Sequence, residues 1–168
     1  MFVVLVIGLL LPTAIDLPNG YRDAQWGMTV EQLKAQVEVF KASLGSEYNY
    51  ADHMEKDPDV YVRKTEENTR IEYYFYKKRL YTVYIVADRS QASAGFYKQL
   101  IKQTKDRHGE PKAEFQEQVF GIKVQHTAWE DKQTILDVRS GAGFVYQVLI
   151  HKSAAQQKAK DAERARSI

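Results

Sequence analysis

Cysteine is missing from all 168 residues. That excludes disulfides, thiolate zinc sites, thiol nucleophiles and a lipid-modified N-terminal cysteine in the sequence as it stands. It does not fix the compartment, because exported proteins also occur without cysteine. Neither sign of charge is in large excess: 27% of residues are charged and the formal net charge is +2. No strong overall field therefore draws the chain to nucleic acid or to acidic surfaces. Catalytic signatures are missing too. No Gly-x-Ser-x-Gly, P-loop or dinucleotide fingerprint occurs, and His53, His108, His126 and His151 have no carboxylate or histidine partner at a recognised metal spacing. Asp52, His53, Glu55, Asp57 and Asp59 lie close together, but with neither a calcium-loop glycine nor a helical His pair, so they read as a solvated connection. Ser140-Gly141-Ala142-Gly143 precedes a strand pattern and reads as a hairpin turn rather than a phosphate loop. The expectation is a non-enzymatic protein with no cofactor and no metal.

No apolar run reaches the length needed to span a bilayer. Phe2 to Leu11 is uncharged and fits the core of a secretory signal, with Pro12-Thr13-Ala14 as the cleavage region. Against this, no Lys or Arg precedes the run and Pro12 suits a cleavage motif poorly, so a buried strand or helix of the domain is the competing reading. The expectation is a signal peptide and linker over residues 1–20 and a periplasmic or secreted protein with no stable membrane span after signal removal. At the far end, residues 152–168 are built from Ala, Lys, Gln, Glu and Arg and read as a polar helical tail, either solvated or docking on a partner or an anionic surface.

The most informative stretch is Arg70 to Ala87. Ile71, Tyr73 and Phe75 share one face of an extended chain, with Glu72, Tyr74 and Tyr76 opposite; Val83, Ile85 and Ala87 share a face, with Thr82, Tyr84 and Val86 opposite. Around the basic break Lys77-Lys78-Arg79 this predicts a hairpin with an apolar inner face and a tyrosine-rich outer face. Thr29 and Gln32 form a capping box, Met28 and Leu33 a hydrophobic staple, and Val30, Leu33, Val37 and Phe40 an apolar stripe, so a helix is expected from Val30 to about Ser43, ended by Gly45. A second helix, capped by Ser90, is expected from Gln91 to about Arg107, with Ala92, Phe96, Leu100 and Ile101 buried and Tyr97 and Thr104 at the edges of the stripe. His108-Gly109-Glu110-Pro111 stops it. Further strands are expected at Val60 to Arg63, after which Glu67-Asn68 turns, and at Ala113 to Phe120, Lys123 to Trp129, Thr134 to Val138 and Phe144 to His151.

Gly27-Met28-Thr29-Val30-Glu31-Gln32-Leu33 resembles the helix opening of small bacterial envelope modules of the barrel-assembly E-subunit and β-lactamase-inhibitor-protein type. The resemblance implies helix-plus-antiparallel-sheet units, export and function by binding proteins. It carries over no functional residue. The lipidated cysteine of the barrel-assembly subunit is absent, and His108-Gly109-Glu110-Pro111 only loosely matches its Leu-Gly-x-Pro ending.

The expected fold is α+β. Two amphipathic helices pack on one face of a mainly antiparallel sheet of about six or seven strands, with a polar C-terminal helix. One domain spans 21–151, with halves 21–88 and 89–151 forming a possible tandem repeat; Tyr81-Thr-Val-Tyr-Ile and Tyr146-Gln-Val-Leu-Ile close the two halves and the sheets join edge to edge. The expected function is binding of another protein through an exposed outer face carrying Tyr74, Tyr76, Tyr84, Lys77, Lys78 and Arg79. Stacking of single-stranded bases on these tyrosines is disfavoured by the small net charge. The plain alternative is that the tyrosines only cover the sheet or pack under a loop or the terminal helix. The rival from another class is an envelope hydrolase or small-ligand-binding enzyme with a His/carboxylate cluster assembled from distant residues. Trp129 fits either the surface or the core.

Overall fold

The computed structural model describes residues 15–41, 59–64, 69–87, 93–119 and 121–166. A two-residue pair, β1 (Gly20–Tyr21) and β2 (Ala24–Gln25), leads into α1 (Val30–Gln36), β3 (Phe40–Lys41), β4 (Asp59–Lys64), β5 (Thr69–Tyr76) and β6 (Arg79–Ala87). The second half runs through α2 (Ala94–His108), β7 (Ala113–Val119), β8 (Ile122–Glu130), β9 (Thr134–Gly141) and β10 (Phe144–His151), and α3 (Lys152–Arg166) follows directly. One antiparallel eight-stranded sheet has the order β3-β4-β5-β6-β10-β9-β8-β7. The strand beyond the expected seven is the two-residue β3. The halves meet edge to edge through β6 and β10, the strands whose sequences match.

Local chemistry explains where each helix starts and stops. At α1 the Thr29 hydroxyl accepts from the Gln32 amide at 3.3 Å and the Gln32 side chain accepts from the Thr29 amide at 2.8 Å, closing the capping box. The helix stops at Gln36, well short of Ser43. Val37 is extended and buried, and Phe40-Lys41 pair with β4 instead, leaving Phe40 largely exposed rather than in the stripe. Two β-branched residues, Val37 and Val39, followed by an aromatic favour that exit. The cap of α2 is Ser93, whose hydroxyl accepts from the Phe96 amide at 3.1 Å. Ser90, Gln91 and Ala92 lie outside the described residues, as do Gly45, Glu67-Asn68 and Phe120. So do the run Phe2 to Leu11 and the acidic stretch Asp52 to Asp57, whereas Asp59 opens β4. Gly109, at φ 79°, ends α2 at the expected stop.

The hairpin turn is Lys77-Lys78 alone; Arg79 already belongs to β6. Lys77 and Lys78 take φ of 48° and 63°, the left-handed pair of a type I′ turn, adopted here without glycine or asparagine. A register shift at Tyr74/Phe75 leaves Tyr81 as the extra residue of a β-bulge. Past the bulge, Leu80 joins the inner face opposite Phe75, whereas Tyr81 stays outside.

Both helices pack on the same inner face. Val30, Leu33 and Val37 meet Tyr61, Ile71, Tyr73, Phe75, Leu80 and Val83. Tyr97, Leu100 and Ile101 of α2 meet Trp129, Leu136, Val138 and Leu149. Tyr21, Trp26 and Ile85 touch both clusters, so the two halves share one core. Trp129 is fully buried and donates its indole N–H to the Gly109 carbonyl at 2.8 Å. Tyr97 is a packed residue rather than an edge one, its hydroxyl 2.8 Å from that of Thr127. Thr104 is buried too and donates to the Leu100 carbonyl at 2.8 Å.

Because Lys78 holds a left-handed conformation without using its side chain to do so, Lys78→Gly is expected to stabilise the protein by about 0.5–1 kcal/mol. Urea denaturation checks this; an unchanged or lowered midpoint would contradict the turn assignment.

Candidate functional site

Sheet register builds the outer face. Glu72, Tyr84, Val148 and Asp137 stand side by side in one row across β5, β6, β10 and β9. Arg70, Val86, Tyr146, Arg139, His126 and Phe115 fill the adjacent row out to β7. Each half thus carries an arginine and a carboxylate two residues apart on one strand, Arg70/Glu72 and Asp137/Arg139. Arg70 Nε donates to Glu72 Oε1 at 2.6 Å, and Arg139 Nε to Asp137 Oδ2 at 2.6 Å. Glu72 is 1% exposed and Asp137 5%, which decides their role: at that depth a carboxylate survives only with charge-assisted partners. For Arg139, burial alone would disfavour the charge, but Asp137 beside it holds the guanidinium firmly protonated.

An aromatic ladder lies over these pairs. Ring centroids are 5.0 Å apart for Tyr74–Tyr84, 5.8 Å for Tyr84–Tyr146 and 5.3 Å for Tyr146–Phe144, so the ladder crosses the β6–β10 junction. The Tyr74 hydroxyl donates to Glu72 Oε2 at 2.8 Å. Burial, then the Glu72 charge, push that phenol far above its usual range. The tyrosine surface expected to be open is largely closed. Tyr74 is buried because its hydroxyl completes the shell of Glu72, and Tyr76 and Tyr84 are half-buried. Of the six candidate residues, only Lys77, Lys78 and Arg79 are exposed.

The third helix meets this face at the hairpin end, over Tyr76 and Tyr81. Asp161 of α3 accepts from both the Tyr76 hydroxyl and Lys77 Nζ, and Lys158 Nζ donates to the Tyr81 hydroxyl at 2.7 Å. Hydrogen bonds from Lys77, Tyr76 and Gln157 hold the Asp161 carboxyl well below the usual carboxylate range. The polar tail is thus docked, on the face opposite α1 and α2, as the plain reading of the tyrosines anticipated.

The second half contains a cluster that spacing in the sequence did not reveal. His126, 2% exposed, places Nδ1 at 2.9 Å from Asp137 Oδ2 and Nε2 at 3.0 Å from Glu117 Oε1, while its ring stacks on Phe115 at 4.5 Å. Only alternation along three strands brings these residues together; the one sequence signal was the pair of charged residues two apart in Asp137-Val138-Arg139. With both ring nitrogens occupied, the imidazole has none left for a substrate. Its contacts instead clamp β7 to β8 and β9. Among the described residues no cluster fits a metal ion, and no helix is long and apolar enough to cross a membrane.

Removing the Tyr74 hydroxyl leaves Glu72 short of a donor, so Tyr74→Phe is expected to cost about 1–3 kcal/mol near neutral pH. The native phenol ionises above its usual value of 10.0. Its contribution is therefore fully present below about pH 10 and is lost as pH rises further, because the unfolded chain then releases a proton that the native protein keeps. Urea midpoints measured across the alkaline range should fall less steeply in Tyr74→Phe than in the parent; parallel slopes would contradict the burial of this phenol.

One protein-family model, described as the TP0088 domain, matches residues 19–159, which include both halves of the sheet and the start of α3. No curated protein and no solved structure matches the chain.

Proposed function

The chain belongs to the TP0088 domain family, and we propose that it is a non-enzymatic domain, exported to the periplasm or beyond, that acts by binding another protein. The observation that carries this reading is the open edge of the sheet. Among the described residues, β7 ends the strand order, pairs on one side only, and is exposed from Ala113 through Gln118. An edge of that length presents backbone donors and acceptors to an incoming strand, and Phe115, 48% exposed, offers an apolar contact at its centre. The docking element in this reading is therefore the β7 edge rather than the tyrosine face. The His126 clamp supports it by fixing the edge strand against β8 and β9, so that little order is lost on association.

A hydrolase is the second reading, favoured by the convergence of His126, Asp137 and Glu117. It requires Glu117 to leave Nε2 so that a substrate can reach the imidazole.

A photo-crosslinking residue placed at Gln116 in the native cell tests the binding reading. The expected result is one discrete protein adduct from Gln116 and none from the exposed helix position Gln103. Equal labelling at both positions, or no adduct at Gln116, would reject the edge as the binding element.

A further inference from the structure

We propose that the β5–β6 turn and α3 together form a cationic platform that seats the domain on an anionic bilayer surface. The inference goes beyond the protein-binding reading and uses a different part of the molecule from the β7 edge.

Two basic segments far apart in the chain meet here. Lys77, Lys78 and Arg79 are exposed at the hairpin tip, and Lys160, Arg164 and Arg166 are exposed on α3. The contacts of Asp161 with Lys77 and Tyr76 hold the helix against the tip. Among the described residues, carboxylates nearby are fewer. Asp161 is engaged by Lys77, Glu163 lies on the helix, Asp59 stands opposite Phe75 at the start of β4, and Glu31 lies close enough to Lys78 to feel its charge. In a chain with a formal net charge of only +2, the platform concentrates positive charge that is balanced elsewhere.

The chemistry of the platform selects its partner. Among the described residues the large exposed hydrophobic side chains are Phe40, Phe115 and Ile122, none of which is on the turn or on α3. A protein interface normally needs such an apolar or aromatic anchor at its centre. Anionic bilayers need none, because each Lys or Arg adds its own attraction to the diffuse headgroup charge. Single-stranded nucleic acid requires open aromatic faces for stacking, whereas Tyr76 and Tyr81 turn their hydroxyls to Asp161 and Lys158 under the helix. One basic side chain at a charged membrane surface is worth about a fivefold change in partitioning.

Co-sedimentation of the full chain with lipid vesicles tests the platform. The probes are vesicles of neutral phosphatidylcholine and vesicles containing about one-third phosphatidylglycerol. Neutral vesicles report any binding by the apolar residues Phe2 to Leu11, so the difference between the two is the readout. The expected result is clear preference for the anionic vesicles, lost at about 1 M salt, where the screening length shrinks to about 3 Å. The triple variant Lys78→Gln, Lys160→Gln and Arg164→Gln leaves the Asp161 contacts in place and should lose about 100-fold in that preference while keeping the parent circular dichroism spectrum. Equal binding to both vesicles, an unaffected variant, or tighter binding to an acidic polypeptide or an oligonucleotide than to the anionic vesicles would overturn the proposal. None of these outcomes depends on the β7 edge, so the protein-binding reading survives or fails separately.

Discussion

The antiparallel pairing of β6 with β10, from Thr82 opposite Ile150 to Val86 opposite Tyr146, makes one protein of two half-sheets. Each half supplies one helix and four strands, and a short helix on a four-stranded sheet closes little core by itself. Joined, the halves place Val83 beside Leu149 on the inner face, and Tyr21, Trp26 and Ile85 bridge the two apolar clusters. The outer face is tied across the same line by the Tyr74, Tyr84 and Tyr146 rings. Apolar burial, worth about 25 cal/mol per Å², acts on the inner side, whereas on the outer side stacked rings cover paired charges.

The paired charges limit what the outer face can do. A buried carboxylate with its arginine seldom adds much net stability over an apolar pair, but losing one partner leaves a charge that costs several kcal/mol. Glu72 and Asp137 therefore fix which side chains may sit above them and keep that face from opening freely. The same logic applies to His126, whose two nitrogens are both taken by carboxylates on neighbouring strands. Two exposed margins lie away from these pairs: the β7 edge on one side and the hairpin tip with α3 on the other. The two proposed surfaces lie apart and leave each other free.

Much of the architecture was legible in the sequence because it rests on short-range rules. Two-residue alternation fixed both faces of β5 and β6, the Thr29/Gln32 box fixed the start of α1, and Gly109 before Pro111 fixed the end of α2. Local patterning falls short where distant residues decide the outcome. Val37 and Phe40 satisfy helical spacing, yet the chain gains more by pairing Phe40 with Val62 of β4. Alternation assigned Tyr74 to the outer face, but only the register and the position of Glu72 and α3 determine whether that face is open. The His126 cluster joins three strands, so no spacing within one of them could announce it.

Amide hydrogen exchange read residue by residue tests the central claim most directly. If the junction holds the fold together, the amides of Thr82 to Val86 and of Tyr146 to Ile150 will be among the slowest to exchange and will open only with global unfolding, in both halves at one common free energy. Junction amides that exchange early while either half keeps its own protection would show that each half stands alone, contradicting the account.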